Sequence, residues 1–211
     1  MSGSLTVGFY GKLPARGDFV RAGLPRDFTD RWDDWLQSVI AGSRAQMGDS
    51  WLPAFLEAPV WRFALPSGMC GARAALGLML PSVDKAGRYF PLAFAALSEH
   101  DIDAAESAPG NAWLDQCEAA GRAALEQDTP PQEISAMLGS PDLPEVVTRT
   151  AEGVWWSEGS PRVKAGRIVL RSLPDVATYA AMLGAGTDGT KPAADIAGHE
   201  PTGETTWESP S

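Results

Sequence analysis

The sequence predicts an α/β fold, a three-layer α/β/α sandwich around a mixed, largely antiparallel sheet. Three observations predict it. Residues 75–80 and 89–97 form two apolar runs with almost no charge and no apolar/polar alternation, the pattern of strands covered on both faces. Between them, PSVDKAGR supplies Pro, Ser, Asp and Gly, which set turn dihedrals or bond their own backbone, so the two runs make a central hairpin. Helix-like and strand-like segments interleave along the whole length, which places helices on the faces of a sheet.

Taken in order, the chain opens with a short apolar strand at residues 5–10. The loop GKLPARGDF follows, where Gly11, Pro14 and Gly17 interrupt regular structure. Over residues 25–47, Phe28, Trp32, Trp35, Leu36, Val39, Ile40 and Met47 recur at helical spacing, which marks an amphipathic helix. Pro25 suits its first turn, Asp27 favours the positive end of its dipole, and Gly48 stops it. Residues 51–56 add one more helical turn. In PVWRFALPSG, Trp61, Phe63 and Leu65 alternate with Arg62 and Ala64, as in a half-buried strand. With the central hairpin this strand makes an antiparallel meander that ends near Ser98. Pro91 has no N–H for a ladder, so a bulge or an edge position is needed there, and it is read as a bend leaving the loop.

Residues 111–127 place Leu114, Cys117, Ala124 and Leu125 near one helical face and leave Glu118, Arg122 and Glu126 for solvent. TPPQ, which starts at Thr129, has capping-box spacing with proline at the first helical position, and predicts a short helix over 130–138 that stops at Gly139. Two further strands, 154–156 and 166–171, flank the turn SEGSP. The tandem Trp155 and Trp156 must point to opposite faces, one into the core and the other into a contact surface or under a helix. A last helix over 174–183 carries Val176, Tyr179 and Leu183 and ends at Gly184. The expected organisation is one globular domain over 1–184 and a flexible acidic tail over 185–211, where Gly, Thr and Pro give no period.

Composition narrows the function. The 211 residues are 44% hydrophobic and include eight Trp, enough for a sizeable aromatic core. A net charge of −10 disfavours nucleic acid and anionic membrane as partners, because phosphate binding needs a basic face. Cys70 and Cys117 form no CxxC pair, and His100 and His199 lack ligand spacing, so neither metal nor cofactor is expected. No stretch has the length of a membrane span or the pattern of a signal peptide, which leads to an expected cytoplasmic location.

Motifs for catalysis are weak. GAGTDG, residues 184–189, matches a dinucleotide fingerprint in letters only, since it follows a helix and enters the tail. VGFYGKL has two residues between its glycines and Leu13 after Lys12, against four and a hydroxyl residue in a phosphate loop. There is no GxSxG, and His100 is the only histidine outside the tail. Asp18 and Asp84, on the two polar loops, could meet in space as paired carboxylates, but each has an arginine nearby, and ion pairs that hold a loop outnumber catalytic carboxylates. Two readings follow. In the first, Lys12, Arg16, Asp18, Asp84, Lys85 and Arg88 form one partner-binding patch, or within it an exposed ion-pair lock across the turn. In the second, the Lys12–Asp18 and Asp84–Arg88 loops serve a small hydrolase or nucleotide-binding enzyme.

GFYGKLPARGDFVRAGLP with the following WDDWL, then APVWRFALPSG, PSVDKAGRYFPL and VWWSEGS, resemble in order the TagF family of type VI secretion accessory proteins, over residues 5–183. The resemblance implies a three-layer α/β/α domain in the bacterial cytoplasm that restrains type VI secretion after translation by binding the forkhead-associated scaffold protein Fha. It brings no catalytic residues and no cofactor. Some relatives are fused to a PP2C-type phosphatase domain, for which 211 residues leave no room. Lys85 stands where the family more usually has arginine, which keeps the charge but not a bidentate fork.

Overall fold

The computed structural model describes residues 5–102, 108–127, 129–141, 145–146 and 151–185. Its elements run β1 (Thr6–Gly11), β2 (Val20–Ala22), α1 (Arg26–Met47), α2 (Trp51–Leu56), β3 (Trp61–Leu65), β4 (Ala74–Leu80), β5 (Leu92–Ser98), β6 (Asp101–Ile102), α3 (Ala108–Gln127), α4 (Pro131–Leu138), β7 (Glu145–Val146), β8 (Gly153–Ser157), β9 (Gly166–Leu170) and α5 (Val176–Met182). Seven strands form one sheet in the order β2-β1-β5-β4-β3-β8-β9, and β6 pairs with β7 separately.

Every strand pair described is antiparallel, which corrects the expected mixed sheet. The connections explain this. In the seven-stranded sheet hairpins join β1 to β2, β4 to its neighbours β3 and β5, and β8 to β9, whereas the helical connections from β2 to β3 and from β5 to β8 link strands that are not neighbours. A parallel pair would need a crossover between adjacent strands. The expected meander is β3-β4-β5, and β4 lies at the middle of the sheet, buried along its whole length.

Alternate strand residues supply two cores. Trp61, Phe63, Leu65, Met79, Leu97 and Trp155 meet Phe28, Trp32, Leu36 and Val39 of α1, Trp51 and Phe55 of α2, and Tyr179 of α5. Phe9, Leu76, Leu78, Leu80, Leu92 and Phe94 meet Trp113, Leu114 and Cys117 of α3 with Ile134 and Leu138 of α4. Successive side chains of a strand point to opposite faces, so helices cover the sheet from both sides. Trp155 is stacked on Trp32 and tilted against Phe63, while Trp156 is half-buried against the second core. Gly77 lets β4 pass: a Cβ there would stand 2.5 Å from the Phe63 ring and 2.2 Å from the Phe94 carbonyl.

Several boundaries differ from expectation. Pro25 is the N-cap of α1, with φ −77° and ψ 161°, rather than a first-turn residue, because its extended ψ leads the chain into the helix from outside. Gly48 ends α1 at φ 54°. Strand β3 is buried on both faces instead of one, since Arg62 lies under α3. Thr129 forms no capping box: Pro130 is the N-cap of α4, and the Thr129 hydroxyl turns to the Ala123 carbonyl. The helix expected from residue 174 starts at Val176 behind Asp175, whose carboxylate accepts from the Thr178 N–H at 2.8 Å. Pro91 makes no bulge in the ladder because β5 begins one residue later, at Leu92. Residues 186–211, which hold nearly all of the expected tail and most of GAGTDG, lie outside the described residues.

Candidate functional site

Strands β1 and β4 both flank β5 and run antiparallel to it, so the loops that leave them, 12–19 and 81–91, emerge side by side at one end of the sheet. Gly11 makes the close passage possible. Its φ is 150°, and a Cβ on it would stand 2.3 Å from the Pro91 carbonyl. The second loop is a tight hairpin tip. Val83 bridges to Tyr89, the Asp84 N–H donates to the Arg88 carbonyl at 3.0 Å, and Gly87 turns the chain at φ 77°.

Asp84 ties the two loops together. Its Oδ2 accepts from Lys12 Nζ at 2.5 Å and from Arg88 Nε at 2.6 Å, and its Oδ1 accepts from the Ala86 and Arg88 N–H groups at 2.9 and 2.8 Å. Lys12 and Asp84 are only 4% and 3% exposed. The Lys85 N–H also donates to the Arg16 carbonyl, the Arg88 guanidinium to the Gly17 carbonyl, and the Ser82 hydroxyl to the Lys12 carbonyl. Burial pushes the Asp84 carboxyl up, but the hydrogen bonds from Lys12, Arg88 and Ala86 outweigh it and hold the group well below the usual carboxylate range.

The six predicted residues therefore divide. The Asp84–Arg88 pair expected across the turn forms, but Asp84 is buried instead of exposed and also takes Lys12, which makes a buried lock: β1 and β5 bring the two loops together, and the lysine is covered by Phe19, whose ring lies 4.5 Å from its ammonium. Arg16, Asp18, Lys85 and Arg88 stand exposed around the lock, and Asp18 takes no part in it. Phe19 is the residue that sequence reasoning missed. It is 41% exposed, stacks on Tyr10 at 5.3 Å and meets the edge of Phe90 at 4.8 Å. The signal was present, a large aromatic at the end of a polar loop.

Among the described residues, two clefts of similar size open near this end. One, of about 410 Å³, is lined by Tyr10, Phe19, Arg21, Thr29, Asp30 and Asp33, with the Tyr10 hydroxyl donating to Asp33 at 2.7 Å. That bond and burial both push the phenol up, burial most. The other, of about 420 Å³, lies between β3, α3 and the turn after β8. Here Arg62 reaches Asp115 at 2.6 Å and Glu118 at 3.2 Å, and Glu118 also takes Arg122 at 2.8 Å, so Glu118 is not the solvent residue that the helical pattern suggested. Neither cleft is lined by Lys12, Asp18 or Asp84. Cys70 and Cys117 are buried, and burial pushes the Cys70 thiol up to about 12, far from a reactive thiolate. Among the described residues, no helix is long and apolar enough to cross a membrane.

An antiparallel sheet with helices on both faces, carrying at one end a locked pair of charged loops, defines the class of protein. Residues 8–140 match the TagF N-terminal domain, type VI secretion system-associated. The chain belongs to the TagF family. It is also similar to the crystal structure of PA0076 from Pseudomonas aeruginosa PAO1, with 32% identity and a TM-score of 0.79 over 92% of this chain and 100% of that one. No curated protein matches the chain.

Proposed function

We propose that this protein acts in the cytoplasm by binding rather than catalysis, restraining type VI secretion after translation. The partner implied by the family resemblance is the forkhead-associated scaffold protein Fha. In this reading the three-layer α/β/α body is the support, and the rim of Arg16, Asp18, Phe19, Lys85 and Arg88 is the contact surface. Neither nucleic acid nor membrane insertion has a part in it.

The observation that carries the proposal is the use of Asp84. A general base or a ligand-binding carboxylate must be reachable, yet this one is buried with all its acceptor positions engaged by Lys12, Arg88 and Ala86. Such a group fixes loop geometry. What it presents outward is a cationic rim with one exposed aromatic, and Arg and aromatic side chains are the usual anchors of protein interfaces. Arg16 and Arg88 can meet acidic or phosphorylated groups of the partner, with Arg88 held in position by Asp84.

The experiment is titration of purified Fha into the protein by calorimetry, with Phe19→Ala as the probe of the rim. Saturable binding that weakens by about 1 kcal/mol or more in the variant is expected. A wild-type protein that does not bind Fha, while hydrolysing nucleotide or ester substrates, would move the assignment to the enzyme reading.

A further inference from the structure

Strand β9 ends the seven-stranded sheet, with β8 as its one strand neighbour among the described residues. A row of its N–H and C=O groups therefore points away from the ladder, and no turn or loop bond among the described residues takes them. Its side chains divide by face. Ile168 and Leu170 pack half-buried on the first core, whereas Arg167 and Val169 are exposed on the other face, Val169 to 49%. Val169 stands opposite Val154 and Arg167 opposite Trp156, both half-buried, so an apolar strip reaches the open edge.

Charge singles out the same edge. The chain carries −10 overall, but residues 160–173 hold Arg162, Lys164, Arg167 and Arg171 without one acid. Arg162 is paired with Glu57 and Arg171 with Glu152. Lys164 and Arg167 are exposed and enter no ion pair among the described residues. Basic residues on an edge strand repel a second copy of the same edge, which opposes self-association. They attract an acidic strand.

We propose that the β9 edge takes up an acidic, extended peptide segment of a partner protein as an added strand. The free ladder groups supply affinity, the strip of Val154, Trp156 and Val169 receives alternate apolar side chains, and Lys164 with Arg167 selects for acid. The site lies on the edge strand, three positions along the sheet from β4, and does not depend on the loop rim.

The test uses two labelled peptides of alternating residues, Val with Glu and Val with Lys, titrated against the full chain by fluorescence anisotropy. Hydrogen exchange then locates the contact. The Val/Glu peptide should bind at least tenfold more tightly than the Val/Lys peptide and should protect amides of residues 166–170. The double variant Lys164→Glu/Arg167→Glu should weaken it at least tenfold with an unchanged melting temperature, and Lys164→Gln/Arg167→Gln, which adds no repulsion, should weaken it in the same direction. Equal affinity for the two peptides, no binding, protection elsewhere, or edge amides already protected before peptide is added would overturn the proposal.

Discussion

Removing the charge of Asp84 should destabilise the protein more than removing that of any other loop residue, since Lys12 would be left buried without its partner. Thermal melting of Asp84→Asn beside Lys85→Gln tests this, and equal melting temperatures would count against the lock. The pH dependence has a definite sign. Asp84 titrates lower in the fold than in the unfolded chain, where a free carboxyl sits at about 3.9. Its contribution is thus complete above that value and lost as pH falls below it. Between about pH 4 and pH 2 the wild type should lose more stability than Asp84→Asn, whose amide does not titrate there. Arg88→Glu is a poor probe of binding, because it would place a second carboxylate against Asp84 and weaken the lock itself. The residue types of the patch were legible in the sequence, but burial was not. Nothing in GKLPARGD distinguishes Lys12, which turns inward under Phe19, from Arg16, which stays outside.

At the scale of elements, α1 is the anchor of the first core. Trp32 is fully buried and packs on Phe28, Phe63 and Trp155. Trp32→Ala should cost about 3 to 5 kcal/mol by chemical denaturation, through lost transfer energy and the cavity left behind. An unchanged midpoint would mean that α1 is held by another face. This helix and the meander were legible because each repeats its pattern over enough residues to show a period. Strand β2 has three residues, and β6 and β7 have two each, too few to show alternation. Arg62 and Glu118 misled for another reason. Each reads locally as a solvent residue, and only the docking of α3 over β3 makes them partners. The same limit applies to the sheet: the presence of interleaved helices was readable, whereas the order that makes every described pair antiparallel depends on how far each crossover travels.

For the whole molecule, the distribution of charge is more informative than its sum. A chain of −10 carries two basic surfaces, one at the rim of the locked loops and one along β9, three positions from β4 in the sheet. Exposed charges contribute little to stability, about 0 to 1 kcal/mol per pair, so their substitution can be read as an effect on binding. The most direct measurement of the central claim is therefore the affinity of Arg16→Glu/Lys85→Glu for Fha, taken with its melting temperature and with type VI secretion output in cells. An affinity at least tenfold weaker, with melting unchanged and secretion released, is the predicted result. Wild-type affinity and continued restraint of secretion in a folded variant would contradict the account.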